Sequence, residues 1–491
     1  LEGWAESQPD AVALRSLDGD DLTFRALSRQ MRDTRLRLRE LGIGPQDRVA
    51  VVMLNGPLAS TAALSVLAAC VLAPLHPAAP ATEVRSLMER IRPAAVLVLP
   101  GGEDSAEMAA ALGLPVLRVR PRGASPFLFD LEGAPVGPAA VDRRTTLDDL
   151  TMISATSGTT GRPKLVARSH WTVGRPVPFE DVELGLAPGD RTLVLTSLAF
   201  ALGYASLMRA LRAGSMAVVP PDFDADALPG WLDEHDPTWL YLVPVILSRL
   251  TADVAAGNAA RNPGLRLIRC GSAPLDPGLR ERAERVLGIP IFNAYGSSEG
   301  GSIAVEGPGV ARRPGTAGRV SCPLRIVEDG RLVADGDPGE IEVSGPGVFP
   351  GYWDDPEATA AVFTEDGWLR TGDRGVLVDG YVVLLGRIDE VINCGGAKVD
   401  PEEVDVAIRA FPGVLDAAAY PLPHPRKGQE VAAAVVLAPG HDLDRRALRR
   451  WLLNRLSPHK MPTAIQVVDV LPRNANGKVQ RAVLSAETVR A

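Results

Sequence analysis

The pattern of hydrophobic and polar residues predicts strands and helices in turn along the first 385 residues. Short apolar runs at residues 48–54, 94–99 and 265–268 predict buried strands. Segments 226–235 and 277–287 place apolar residues at helical spacing. Strands that alternate with helices in this way are typical of a layered α/β architecture with largely parallel sheets.

One apolar stretch could be mistaken for a membrane span. Residues 49–82 carry no charge, and residues 58–75 are apolar enough to suggest a span. Turn signals at residues 55–57 and 74–77 interrupt the stretch. We therefore interpret residues 58–72 as a helix of small residues packed against a sheet, and we expect no membrane span.

The remainder of the chain changes in character twice. Short strands separated by Gly and Asp turns predict a β-rich module from about residue 319. The last hundred residues predict a compact α+β unit, with helices at 401–410 and 445–456 and strands at 430–437 and 465–470. The boundary between the two parts is expected near residues 386–389.

We therefore predict an α/β fold with two domains. Residues 1–386 form a large N-terminal domain of layered α/β sheets, which includes the β-rich module at about 319–386. Residues 387–491 form a small α+β C-terminal domain.

Composition and charge exclude several classes of protein. The 491 residues are 46% hydrophobic and 23% charged, which is ordinary for a globular protein and unlike collagen, coiled coils or disordered chains. A net charge of −8 gives no sign of a nucleic-acid surface, so we expect no such partner. Cys70, Cys270, Cys322 and Cys394 are too dispersed for a disulfide framework or a zinc site. With no visible secretory leader, we expect a cytoplasmic protein.

The strongest local signal is a loop of small residues at 156–164, TSGTTGRPK, which follows a predicted strand at 151–155. Its backbone N–H groups, its four hydroxyls and Lys164 are the groups needed to hold a polyphosphate. It is not a Walker loop, because two residues separate the last glycine from Lys164 and no Ser or Thr follows. Composition alone leaves a flexible surface loop as the alternative.

The loop resembles the phosphate loop of the adenylate-forming superfamily, which includes acyl-CoA and aryl-CoA synthetases, nonribosomal peptide synthetase adenylation domains and luciferases. Further motifs match in the family order: NAYGSSE at 293–299, WLRTGD at 368–373, GRIDE at 386–390 and PRNANGK at 472–478. Because these motifs span nearly the whole chain, it is identified as a member of this superfamily.

The resemblance implies a two-step reaction. A carboxylate attacks the α-phosphate of Mg·ATP to give an acyl-adenylate and pyrophosphate, and a thiol then displaces AMP. The function predicted first is that of an acyl- or aryl-CoA ligase, which uses ATP, Mg²⁺, CoA and a small carboxylic acid. The alternative is a stand-alone enzyme that loads an acid or a non-standard amino acid onto the phosphopantetheine arm of a separate carrier protein. A catalytically silent nucleotide-binding scaffold is the hypothesis from another class.

The resemblance also assigns residues to ATP. The phosphates would be held by Thr156, Ser157, Gly158, Thr159, Thr160 and Lys164. The two walls of the adenine slot would be formed by Gly271, Ser272, Ala273, Ala294, Tyr295 and Gly296, with Tyr295 stacked on the base. Asn293 and Ser297, in the same motif, would also bind ATP. Asp373 would accept hydrogen bonds from the ribose hydroxyls, and Arg387 would reach the ribose or the α-phosphate.

Catalysis and domain movement are assigned by the same resemblance. Ser298 would contact the α-phosphate, Glu299 would ligate Mg²⁺, and Lys478 would neutralise charge between the carboxylate and the α-phosphate. Asp389 would be the hinge about which a mobile C-terminal domain rotates. Gly395 and Gly396 would line the tunnel for the thiol arm.

Each of these residues also has a plain structural interpretation. Asp373 could be a turn residue, Glu299 a loop charge, Tyr295 a half-buried core ring and Lys478 an exposed lysine after an Asn-Gly turn. The order of the motifs favours the functional interpretation for all four.

The acyl pocket departs from the family pattern. Phe200 stands where many CoA synthetases have a histidine, and residues 196–203 lack the aspartate that pairs with an α-amino group. We therefore expect no standard α-amino acid. The predicted pocket is apolar and aromatic, which suits a medium-chain, branched or aryl acid, and consists of Phe200, Leu202, Tyr204, Trp239, Tyr241 and Val243.

Overall fold

The computed structural model describes residues 1–490 except 78, 142, 144, 157–162, 175–183, 260–261, 395–396 and 474–478. The first described elements are α1 (Glu2–Ser7), β1 (Val12–Arg15), β2 (Asp21–Thr23), α2 (Phe24–Glu40), β3 (Arg48–Val52), α3 (Pro57–Leu67), β4 (Val71–Leu75), α4 (Ala81–Ile91), β5 (Ala95–Val98), α5 (Glu103–Ala111), β6 (Val116–Pro121), β7 (Phe129–Glu132), β8 (Leu150–Thr156), β9 (Lys164–Ser169) and α6 (His170–Gly174).

The middle of the chain continues the alternation and then becomes rich in strands. Its elements are β10 (Arg191–Leu193), α7 (Ala201–Arg212), β11 (Met216–Val218), α8 (Leu228–His235), β12 (Trp239–Leu242), α9 (Pro244–Ala255), β13 (Leu267–Cys270), α10 (Pro277–Leu287), β14 (Ile291–Ser297), β15 (Gly301–Val305), β16 (Gly318–Val320), β17 (Leu324–Glu328), β18 (Arg331–Leu332), β19 (Pro338–Val343), β20 (Gly351–Tyr352), α11 (Pro356–Val362), β21 (Leu369–Val378) and β22 (Tyr381–Arg387).

A 3₁₀ turn at Ile388–Glu390 leads into the C-terminal part. This part contains β23 (Ile392–Cys394), β24 (Ala397–Val399), α12 (Pro401–Arg409), β25 (Val414–His424), β26 (Gly428–Leu437), α13 (Arg445–Leu453), a 3₁₀ turn at Pro458–Lys460, β27 (Ala464–Val467) and α14 (Arg481–Arg490).

The described strands of the large part form three sheets. One has the order β20-β9-β8-β4-β3-β5-β6-β7, and its central strands β8, β4, β3, β5 and β6 pair in parallel. A second runs β12-β13-β14-β15-β16-β22-β21-β19-β17-β18, parallel at first and antiparallel from β14 onward. A third has the order β10-β11-β1-β2. The layered α/β fold with a β-rich portion is thus confirmed.

The uncharged stretch folds as strand, helix and strand. The predicted strand and the start of the helix are present as β3 and α3, but the prediction of helix to residue 72 is wrong. The helix ends at Leu67, and Val71–Leu75 is β4, which pairs in parallel with β3. No polar residue marks the junction between the helix and the strand. The end of the helix is therefore determined by sheet pairing and not by a local sequence signal. Among the described residues, no helix has the length and apolarity needed to cross a membrane.

The C-terminal part has a hydrophobic core of its own. Strands β24, β23, β26 and β25 are neighbours in one sheet, with β27 also paired to β26. The core around them contains only residues from Ile392 onward, among them Val404 and Leu448 of α12 and α13. A separate core is what an independently moving domain requires. The domain boundary at residue 386 itself stays a prediction.

Candidate active site

A cleft of about 2610 Å³ collects most of the predicted site residues. Its walls come from β8, β9, α7, β14 and β21, and α12 of the C-terminal part closes one side. The predicted residues that line it are Thr156, Lys164, Phe200, Leu202, Tyr204, Tyr241, Val243, Ser272, Ala273, Asn293, Ala294, Tyr295, Gly296, Ser297, Ser298, Glu299, Asp373, Arg387 and Asp389. Residues separated by more than 200 positions in sequence thus face one space.

Several predicted residues are outside this set. Ser157, Gly158, Thr159, Thr160, Gly395, Gly396 and Lys478 lie outside the described residues. Trp239 does not line the cleft, because its side chain is 0% exposed within the core on β12. Gly271 does not line the cleft but packs closely against two residues that do: a Cβ there would lie 3.1 Å from the Ala294 carbonyl oxygen and 3.2 Å from the Tyr241 hydroxyl.

Asp373 is held by groups on both of its carboxylate oxygens. The Tyr295 hydroxyl donates a hydrogen bond of 2.6 Å to Oδ2, and Nη1 of Arg387 donates one of 3.2 Å to Oδ1. Burial, reinforced by the neighbouring Asp373, raises the pKa of Tyr295 well above its usual value, so the hydroxyl remains a donor. A carboxylate with two acceptor oxygens is suited to a pair of neighbouring hydroxyls such as a ribose diol.

Strand pairing explains why these groups meet. Asp373 on β21 lies directly opposite Arg387 on β22, next to a bulge between Arg374 and Gly375. Gly372 precedes them at a φ of 71°, and a Cβ there would lie 3.0 Å from Nη2 of Arg387. Glycine at position 372 therefore leaves the room that the Asp373 carboxylate and the Arg387 guanidinium need to lie side by side.

Arg387 also contacts the predicted hinge. Its Nε donates a hydrogen bond of 3.2 Å to Oδ1 of Asp389, in the 3₁₀ turn that begins directly after β22. One guanidinium thus bridges Asp373 in the cleft and Asp389 in the connection between the two parts of the chain.

The C-terminal part reaches the cleft through α12. Nε of Arg409 lies 3.6 Å from Oδ2 of Asp276, which caps α10 on the opposite wall. Asp400 caps α12 and packs against Gly386, whose φ of 130° and lack of a Cβ leave room for that carboxylate. Burial raises the pKa of Asp400 to about 7.

Glu299 lies with Lys164 and an unpredicted tyrosine. The Tyr352 hydroxyl donates a hydrogen bond of 3.1 Å to Oε1 of Glu299, and Nζ of Lys164 lies 4.7 Å from the centre of the Tyr352 ring. Burial, together with Glu299, raises the pKa of Tyr352. Tyr352 is on β20, which pairs with β9 across almost 190 residues of sequence, so no local pattern could have identified it.

The acyl end of the cleft differs from the expected pocket. Phe200 stacks on His76 with ring centroids 5.6 Å apart, so a histidine is present here but comes from the segment after β4. Three arginines also line the cleft near Tyr204 and Tyr241, namely Arg168, Arg209 and Arg212. The pocket is therefore not purely apolar and aromatic. The sequence pattern did not predict this, because Arg168 lies on a strand and the other two arginines on a helix about 40 residues later.

Comparison with known proteins agrees with this geometry. A model of the AMP-binding enzyme family matches residues 1–353, and one of the AMP-binding enzyme C-terminal domain matches residues 403–478. The chain is 34% identical to a sulfoacetate–CoA ligase of Cupriavidus necator, over 98% of this chain and 95% of that protein. It is 33% identical to a feruloyl-CoA synthase of an Amycolatopsis species, over 97% and 95%. The ATP-bound structure of MatB from Rhodopseudomonas palustris superposes with a TM-score of 0.88 at 30% identity, over 98% and 96%.

Proposed function

The chain belongs to the AMP-binding enzyme family, and we propose that it is an AMP-forming ligase that joins a carboxylic acid to CoA. The observation that carries the proposal is the arrangement of Tyr295, Asp373 and Arg387 in the same cleft as Lys164 and Glu299. It combines a carboxylate suited to a ribose diol, a cation suited to phosphates and a second carboxylate suited to Mg²⁺.

In the proposed first step, a carboxylate oxygen of the acid attacks the α-phosphorus of ATP, and the bond to the pyrophosphate oxygen breaks. Lys164 and Thr156 face the cleft where the pyrophosphate would leave, and Ser298 lies beside Glu299 to donate to the α-phosphate. We propose that Lys478 neutralises charge between the two reacting oxygens. Catalysis of this kind depends on positioned charges and donors.

The residues present fit Mg²⁺ shared with ATP. The Glu299 carboxylate and the Thr156 hydroxyl are hard oxygen donors in the cleft. Within the described part of the chain, no group of three or more His, Cys, Asp or Glu could hold a metal by itself. One carboxylate combined with phosphate oxygens is the arrangement that Mg²⁺ commonly takes. When bound, Mg²⁺ would supply positive charge to the phosphates.

In the proposed second step, the CoA thiolate attacks the acyl carbonyl carbon and AMP leaves with the electron pair. We propose that the domain after residue 386 rotates about Asp389 between the two steps, and that Gly395 and Gly396 line the thiol tunnel. The separate core of that domain supports rotation as a unit. We also propose a reducing compartment, the cytoplasm, because all four cysteines are free.

The test is release of AMP, pyrophosphate and acyl-CoA from Mg·ATP with short, branched, medium-chain, aryl, dicarboxylic and α-amino acids, each with and without CoA. We expect a CoA-dependent thioester with some acids, and we expect Asp373→Ala to lower kcat/KM for ATP at least tenfold. Asp130→Ala is the matched control, because Asp130 pairs with Arg122 outside the cleft.

Two results would overturn the proposal. Thioester formation on a carrier protein's phosphopantetheine arm but not on CoA would show that the carrier protein, and not CoA, is the acceptor. ATP binding without AMP release for any acid would favour a silent nucleotide-binding protein.

A further inference from the structure

Tyr204 brings a buried, unsatisfied hydroxyl to the acyl end of the cleft. Its side chain is on α7, lines the cleft and is only 6% exposed. Among the described residues, its hydroxyl has no hydrogen-bond partner. A buried hydroxyl normally has a partner, because leaving it unpaired costs free energy. In a cleft that takes a substrate, that partner is expected on the ligand.

Arg168 lines the same cleft and is close enough to this hydroxyl to interact with it electrostatically. It is four residues after Lys164 on β9, so the two side chains lie on the same side of the strand, with their Cα atoms about 13 Å apart. Burial lowers the pKa of Arg168, and the nearby Glu299 and Tyr204 oppose that effect. Nε and Nη2 of Arg168 are buried without a hydrogen-bond partner in the described part of the chain. Arg168 therefore lines the cleft within electrostatic reach of both Glu299 and Tyr204.

Two further guanidinium groups, those of Arg209 and Arg212, line the same end of the cleft. Burial raises the pKa of Tyr204, and the positive charges of Arg212 and Arg168 oppose that effect, so both cations act on this hydroxyl. Arg209 is 8% exposed, with Cζ 5.2 Å from the centre of the Tyr241 ring. Burial, with a smaller effect from neighbouring Arg269, lowers the pKa of Arg209 to about 9. The acyl end is thus strongly cationic.

We propose that the acid activated by this enzyme carries a second anionic group, such as a carboxylate or sulfonate, which binds to Arg168 and Tyr204 at the acyl end of the cleft. This inference rests on the proposed function and narrows its substrate class. A guanidinium offers a planar pair of donors that matches two oxygens of such a group, and the phenol adds a third. The stacked rings of Phe200 and His76 form another part of the lining and would contact the carbon skeleton between the two acidic groups.

The test compares acids that differ only at the far end. The pairs are succinate with butanoate and isophthalate with benzoate, and the half-amide succinamate supplies a neutral polar end. The measurement is kcat/KM for AMP release in the presence of CoA. We expect the diacid to exceed its monoacid by at least tenfold in one pair, and succinate to exceed succinamate.

Two variants test the residues. Arg168→Met should cost the diacid at least tenfold more in kcat/KM than it costs the monoacid, and Tyr204→Phe at least threefold more. Arg191→Met is the matched control, because Arg191 is a partly buried, ion-paired arginine outside the cleft. It should leave the ratio of diacid to monoacid unchanged. Melting temperatures of the variants with and without ATP verify that each one folds.

The outcomes separate this inference from the proposed function. AMP release that favours monoacids in every pair would overturn the inference and leave the ligase activity intact. An equal loss for diacid and monoacid in both variants would also overturn it, because the two residues would then serve the reacting carboxylate or the fold. A preference for succinamate over succinate would overturn the inference, because it would show that this end of the cleft binds a neutral polar group and not an anion. Absence of AMP with every acid would overturn both proposals.

Discussion

Removal of one hydroxyl tests whether Asp373 binds the ribose of ATP. In Tyr295→Phe the aromatic ring stays, but the 2.6 Å hydrogen bond to Oδ2 of Asp373 is lost. A hydrogen bond to a charged group contributes about 1.5–3 kcal/mol, which corresponds to roughly 10- to 150-fold in a rate or binding constant. The Asp373 side chain is 14% exposed and keeps its contact with Arg387, so water can replace part of the loss. We therefore expect the lower end, about tenfold.

The loss should affect ATP binding more than the chemical step. The ribose is remote from the reacting oxygens, so KM for ATP should rise about tenfold while kcat at saturating ATP changes little. With 2′-deoxy-ATP, which cannot make one of the two ribose contacts, the cost of Tyr295→Phe should shrink. This non-additivity is the signature of groups that interact through one carboxylate.

The control is Tyr381→Phe, which removes a hydroxyl bonded to the Ala311 carbonyl at 2.7 Å, on β22 but outside the cleft. Its KM for ATP should match the unaltered enzyme. Equal costs of Tyr295→Phe for ATP and 2′-deoxy-ATP would refute the assignment of Asp373 to the ribose. A comparable rise in KM for Tyr381→Phe would show that the measurement reports a general loss of structure.

Three further predictions concern the C-terminal domain. Lys478→Ala should lose about 2.7–4 kcal/mol of transition-state stabilisation in pyrophosphate release, while thioester formation from supplied acyl-adenylate is largely retained. Asp389→Pro should fix one domain orientation, so that one half-reaction falls roughly tenfold or more relative to the other in single-turnover assays. Asp400 has a folded pKa of about 7, above its unfolded value, so the folded state holds the extra proton and loses stability as pH rises from about 4 to 7. Asp400→Asn keeps the helix cap and should gain stability over the unaltered chain across that window, by at most about 1.4 kcal/mol per pH unit in denaturant unfolding.

Each of these predictions has a result that would contradict it. An equal loss in both half-reactions would show that Lys478 does not act specifically in the adenylation step. Unaltered rates in both would mean that rotation does not occur about Asp389. A stability difference between Asp400→Asn and the unaltered chain that is constant from pH 4 to 7 would mean that this carboxyl titrates normally.

The motif order and the alternation of strands and helices were sufficient to predict the family and the α/β fold. Both rest on local signals, and the helix at Pro277–Leu287 has the bounds that its apolar spacing predicts. Where no local signal marks a boundary, as between α3 and β4, the prediction of the helix end was wrong. There, pairing of Val71–Leu75 with a strand more than 20 residues earlier determines the structure.

The same limit applies to the cleft residues that belong to no motif. The predicted ATP residues belong to motifs, and the described ones among them lie together apart from Gly271. Tyr352 and His76 reach the cleft through pairing between distant segments, β20 with β9 and β4 with β8, which a single sequence does not display. Arg168 lies on β9 four residues after Lys164, but the sequence does not show that it lines the cleft with Tyr204. Trp239 was assigned to the pocket from residue type alone, and the sheet turns it into the core.

The position of Arg387 has a consequence for thermodynamic coupling. Because its guanidinium bonds both Asp373 and Asp389, the proposed domain rotation, if it draws Asp389 away, would also disturb the carboxylate that we assign to the ribose. Binding free energies are reciprocal, so an orientation that tightens nucleotide binding is itself favoured by the nucleotide to the same degree. ATP, acyl-adenylate and AMP would then bias the population of domain orientations differently, and the sequence of half-reactions would be ordered by what the cleft holds.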